Sequence, residues 1–280
     1  MLVAARNIAK AWLLVLALVG LFALVGWLLD GVRGLSIFVF CALLVAAGAY
    51  WSFDRVVLGM IGARELPVAE APLLHSTVER LASRAGILKP RLYLIPDGLP
   101  LAAATGRGVR SSAVVVSTGC AAACAPAELE GVLAHEIAHV RLHDVQVQTA
   151  AAVAAAVTLE ASRIGGWLER FLLFVLAPVA AASVHLLVSP KREFAADRFA
   201  AKLCDSPHGL ADALSRFEQA SELVAFEGSP ATEPLFTINP FAEDWPARLF
   251  VTHPPVEERV RRLRELDPSR HEEAQSEAVA

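Results

Sequence analysis

The stretch Gly131–Asp144 reads GVLAHEIAHVRLHD. It sets His135, Glu136, His139, His143 and Asp144 into an otherwise apolar, helical pattern. On a helix, residues four apart are turned by about 400°, so His135 and His139 lie on one face, one turn from each other. Both imidazoles then reach one ion, and a pair of neutral imidazoles suits zinc. Glu136 is turned about 100° from His135 and so points beside such an ion rather than at it. A carboxylate placed there can take the proton of a zinc-bound water. This is the physical content of the HExxH pattern. The competing reading is a solvated helix face that happens to collect histidines.

Two histidines leave a catalytic zinc short of a ligand, because such sites use three protein ligands and an open position. The candidates downstream are His143, Asp144, Glu160, Glu169, Glu193 and His253. His143 is about 12 Å from His135 along the axis, too far to share an ion. It and Asp144 are expected where the helix meets a membrane surface. Glu160 and Glu169 fall in a link between apolar runs, across the membrane from the motif. Glu193, in KREFAADRFA, returns to the motif's side and can complete a His-His-Glu site. Asp197 shares its helix face and can accept the distal N–H of a ligand histidine. The bland reading of Glu193 and Asp197 is a surface acid pair among Lys191, Arg192 and Arg198. A hydrolytic site also needs a donor for the oxyanion. The chain has only two tyrosines, so THPPVEERVRRL is the better source. His253 is the expected donor there, with Arg259 as a supporting residue. Alternatively both merely fix the last helix.

The 280 residues are 55% hydrophobic and 19% charged, with a mean hydropathy of +0.50. That is too apolar for an ordinary soluble enzyme and points to membrane segments. The net charge of −4 suggests no nucleic-acid partner. Ala11–Leu29 and Ser36–Phe53 read as two spans joined by the short link DGVRGL. Val145–Leu159 and Phe171–Val188 read as a weaker second hairpin, the alternative being core helices. Arg6, Lys10, Arg55, Arg64, Lys191 and Arg192 flank the spans on one side, which puts the polar domain in the cytoplasm of a multi-pass plasma (inner) membrane protein. Cys41, Cys120, Cys124 and Cys204 fit reduced, packed thiols in that compartment.

The expected organisation is a membrane hairpin over 1–54, a first catalytic half over 55–144 and a second hairpin over 145–188. A second catalytic half follows over 189–266, then a disordered tail over 267–280. Amphipathic His75–Gly86, strands Pro90–Asp97 and Ser111–Gly119, and the motif helix make a mainly α chain with a small β-sheet, an α+β class. A substrate backbone is expected to add to the sheet edge along Ser112, Ala113, Val114, Val115, Val116 and Ser117.

Two apolar runs, a strand, APAELEGVLAHEIAHVRLHD, two more runs, REFAADRFA and LFVTHPPVEERVRRL together resemble the HtpX family of membrane-embedded zinc metallopeptidases. The wider group includes the CAAX-prenyl proteases. The likeness runs from about Ala11 to Leu266. It implies one zinc ion on His135, His139 and Glu193, Glu136 as catalytic acid/base, and a zincin-like fold with about four transmembrane helices. It also implies an endopeptidase clearing misfolded or membrane proteins, with peptide and lipid bilayer as partners. Leu101–Ala104 stand where the family shows Asn-Ala-Phe-Ala, and Phe194 where it shows Tyr. The rival readings are a peptide- or prenyl-protein-processing protease and a silent zinc-binding scaffold. The intact Glu136 speaks against the scaffold, since a structural site has no use for that acid.

Overall fold

A computed structural model describes residues 2–162, 169–204, 208–241 and 247–266. The expected disordered tail, 267–280, lies outside them. Helix α1 (Leu2–Met60) is interrupted once, at Asp30 and Gly31, whose backbones leave the helical region. Gly31 has φ of +52°, a conformation that favours glycine. The chain reverses there, because a Cβ on Gly26 would lie 2.5 Å from the carbonyl oxygen of Gly34. The helical hairpin expected around DGVRGL is therefore present. One described stretch, Gly26–Leu44, is long and apolar enough to cross a membrane, and it includes that turn.

Behind the hairpin come β1 (Arg64–Glu65), α2 (Pro72–Ala85), β2 (Arg91–Ile95), β3 (Ala102–Gly108) and β4 (Ser111–Ser117). Gly86, with φ of +67°, ends α2 in the left-handed conformation. The strands form one mixed sheet in the order β1-β2-β4-β3. Helices α3 (Thr118–Ala123), α4 (Pro126–Arg141), α5 (Asp144–Ser162), α6 (Glu169–Leu187), α7 (Lys191–Leu203), α8 (His208–Leu223) and α9 (Val256–Glu265) complete the chain, with short 3-10 turns at Pro230–Leu235 and Ala247–Phe250. The class is α+β, mostly helical.

One expectation needs correction. Ser112–Ser117 is not at a sheet edge, for β4 pairs with β2 in parallel and with β3 antiparallel. An interior strand has no backbone groups left for a substrate. The edge on this side is β3, which sequence patterning passed over, and Ala103 bridges Phe236 across it. For Val145–Leu159 the core-helix alternative holds over the first part of the run. The first turns of α5 are buried within the domain: Val145, Val147, Gln148, Thr149, Ala151 and Ala152 are all inaccessible. Thr149 Oγ1 accepts the Gly106 N–H at 3.1 Å, tying α5 to β3.

The main core lies between the sheet and α2, α4, α7 and α8. Helix α4 is its centre, buried continuously from Gly131 to Val140. That is why its polar residues do not form an exposed stripe. Gly131 lets α8 approach closely, since a Cβ there would lie 2.5 Å from the Leu210 nitrogen.

Candidate metal centre

The motif helix is fixed at both ends. Pro126 opens it, and Glu128 reaches back to accept the Ala125 N–H at 2.8 Å. Arg216 of α8 holds the same carboxylate at 2.9 and 3.1 Å. At the other end His143 takes φ of +62°, unusual for a residue with a side chain, and turns the chain sharply into α5.

Between these ends, His135 and His139 present their Nε2 atoms 3.1 Å apart. Glu193, one turn into α7, brings Oε2 within 3.4 Å of His135 Nε2 and Oε1 within 3.4 Å of His139 Nε2. All three residues are buried. Tetrahedral ligands bound at about 2.0 Å stand roughly 3.3 Å from one another, so the three groups have the spacing of a ligand set. The two Nδ1 atoms face carboxylates. Asp197 Oδ1 is 3.0 Å from His135 Nδ1, and Asp144 Oδ2 is 3.3 Å from His139 Nδ1. The His139 contact is a hydrogen bond and the His135 contact a close approach, and with each Nδ1 beside a carboxylate both Nε2 atoms are left to one point, as in metal-binding histidines. The buried Oε2 of Glu193 has no hydrogen-bond donor. The donors fit a divalent cation such as zinc.

Asp144 is thus not a marker of a membrane surface. Arg192 Nε donates to its Oδ1 at 2.8 Å inside the protein, and it orients His139. Arg259 is wholly buried. It donates to Asp197 Oδ2 and Oδ1 at 2.9 and 2.8 Å and to the Thr237 carbonyl at 2.5 Å. Its Nη2 is 3.5 Å from Glu193 Oε2. His253 points Nε2 toward the same space, 3.8 Å from Glu193 Oε2. Its Nδ1 lies 2.7 Å from Glu233. The Phe194 ring, in place of the family's Tyr, packs under the Arg262 guanidinium at 3.9 Å.

Glu136 sits beside the cluster and not in it. Its Oε1 accepts the Thr237 hydroxyl at 2.6 Å, while its Oε2 is buried without a donor. Burial raises its pKa, against the pull of His135, His139 and the Thr237 hydroxyl. A carboxyl raised in this way is a better proton acceptor than an ordinary one, as a general base needs to be. Burial works against charge on Glu193 too, yet His139 and His253 hold it well below the usual carboxylate range. Burial likewise opposes a proton on His139, but Glu193 and Asp144 draw one there and raise its pKa to about 10. The pocket is built to hold positive charge, which a cation would supply in the proton's place.

The structure brings His135, His139, Glu193, Glu136, Asp197, Arg259 and His253 together and leaves Ser112–Ser117 in the interior of the sheet. Glu233, Thr237 and Arg192 join the site without having been assigned a role in it from sequence, and Asp144 joins it in a role other than the one expected. Arg192 carried a local signal as the neighbour of Glu193, and Asp144 as the last residue of the motif stretch.

Residues 69–267 match the model of peptidase family M48. A protease HtpX homolog of Persephonella marina is 40% identical over 277 residues, covering 92% of this chain and 96% of the relative. That of Pyrococcus furiosus is 39% identical over 274 residues, covering 92% and 95%. The crystal structure of S. mikatae Ste24p superposes with a TM-score of 0.45 at 18% identity, over 94% of this chain and 66% of that one. With HEIAH, Glu193 and the surrounding acids in one buried cluster, the chain belongs to peptidase family M48, among its HtpX-type metalloproteases.

Proposed function

We propose that this metallopeptidase is a zinc endopeptidase held in a membrane by α1 and by the outer parts of α5 and α6. Its catalytic domain would face the cytoplasm and cleave misfolded or membrane proteins. The observation that carries the reading is the His135–His139–Glu193 cluster with Glu136 beside it. A zinc ion there supplies Lewis acidity toward a peptide carbonyl and acidifies a nearby water.

The chain's own groups do the rest. Glu136 takes a proton from the attacking water as its oxygen bonds to the carbonyl carbon. The C–N bond then breaks, and Glu136 returns the proton to the leaving amine. Asp197 and Asp144 fix the two imidazoles. His253 donates to the oxyanion, the role that its burial and its direction into the pocket support. An extended substrate takes the outer edge of β3 in place of the Phe236 bridge. Main-chain pairing of this kind tolerates varied sequences.

Membrane attachment rests on exposed apolar side chains along α1, such as Trp27, Leu28, Leu29, Val32 and Phe40. Four spans and the cytoplasmic orientation rest on the apolar runs and on the placement of Lys and Arg around them.

The test is to purify the protein in detergent, measure its zinc content, and compare casein cleavage by wild type and Glu136→Gln. One zinc per chain and cleavage only by wild type are expected. Equal activity of the two would overturn the mechanism.

A further inference from the structure

Glu233 is a buried acid outside the ligand set, supplied by the Pro230–Leu235 turn. It accepts three hydrogen bonds: from the Thr252 N–H at 2.9 Å, from the Thr252 hydroxyl at 2.7 Å, and from His253 at 2.7 Å. The first two anchor the carboxylate to the backbone and side chain of Thr252, just before His253. The third fixes the ring. With Nδ1 held by Glu233, the only ring nitrogen left to meet a substrate is Nε2, which faces the metal pocket near Glu193. A buried carboxylate that is itself held by two donors, and that keeps one imidazole nitrogen protonated, determines both tautomer and orientation of the ring.

We infer that Glu233 is a positioning residue for the hydrolytic step. It acts through His253 by presenting Nε2–H to the oxyanion, and so rests on the role of His253 proposed above. A merely structural Glu233 would serve only to join the Pro230–Leu235 turn to Thr252.

The two roles separate in steady-state kinetics on a fluorogenic peptide, using zinc-loaded protein in detergent. Glu233→Ala is expected to lower kcat about 10–100-fold, with KM within about twofold and zinc content unchanged. Glu233→Gln, which keeps an acceptor for Nδ1–H, is expected to recover most of kcat, and it carries the test if the alanine variant does not fold. Thr252→Val removes one of the two donors that hold Glu233 but leaves the Thr252 N–H and His253 bonds in place, so it is expected to lower kcat less than Glu233→Ala does. In a His253→Ala background, Glu233→Ala should cause no further loss, because its route to the reaction is gone.

A slow His253→Ala enzyme combined with wild-type kcat in Glu233→Ala overturns this inference alone. So do independent, multiplying losses in the double variant, or zinc loss in Glu233→Gln. Wild-type kcat in His253→Ala overturns the role given to His253, and this inference with it.

Discussion

Replacing Arg259 by Met removes a charge and leaves most of the volume. The side chain is completely buried, and its guanidinium is the counter-charge of Asp197 through bonds of 2.9 and 2.8 Å. Methionine fills the space of the stem, so the loss is chiefly electrostatic and not a cavity term. Breaking a buried pair by removing one partner costs about 3–5 kcal/mol, since the other charge is left stranded. For a domain of this size each kcal/mol lowers Tm by about 2–4 °C, so the midpoint falls by roughly 6–20 °C. Asp197 loses the main cation that keeps it charged against burial and stops orienting His135. Metal content therefore falls as well. The assay is thermal unfolding in detergent of wild type, Arg259→Met, Asp197→Asn and the double variant, all with chelator present so that metal binding does not contribute. Neutralising both partners removes the stranded charge, so the double variant should be more stable than Arg259→Met alone. The reasoning is refuted if Arg259→Met unfolds within about 1 kcal/mol of wild type, or if the two single losses simply add.

Asp144→Asn leaves the ligands in place but weakens the hold on His139. Zinc affinity should drop about 10–100-fold, read by chelator competition, and unchanged affinity would deny Asp144 that part. Arg216 lowers the pKa of Glu128 in the folded state, chiefly through a side-chain hydrogen bond. A depressed carboxylate stabilises the fold above its unfolded pKa of about 4.5, and this contribution is lost as pH falls through the folded value. Urea unfolding of Arg216→Ala should accordingly show a smaller deficit near pH 3 than at pH 7, whereas an equal deficit at both would break the linkage. Ala103 and Phe236 face each other across the β3 edge. A disulfide between cysteines placed at 103 and 236 should block casein cleavage until reductant is added; full activity in the oxidised form would show that substrates do not use this edge.

What sequence alone could show follows the range of its periodicities. His135, Glu136 and His139 share one regular helix, so helical geometry orients them directly. Glu193 and Asp197 repeat that logic on α7. Asp144 defeated it because the helix ends at Arg141 and His143 swings the chain left-handed, so a projection from α4 aims Asp144 the wrong way. Strand β3, AAATGRG, is made of residues with little β preference and owes its conformation to its partner β4. With β3 unseen, β4 looked like an edge. Glu233 and Thr237 lie in a proline-rich stretch without periodicity, and only tertiary packing carries them to Glu136 and His253.

The ion pair between Arg192 and Asp144 joins residues 48 positions apart. Everything between them is the excursion through α5 and α6, which starts and finishes at one buried contact. The apolar hairpin is thus stapled at its neck, next to His139 on one strand of the staple and Glu193 on the other. Movement of the hairpin beyond the neck is not passed to the ligands through this contact, which holds α5 and α7 together beside them. The same closure makes the hairpin a self-contained insert: its length and outer surface are free to diverge while the chemistry at its base stays in register.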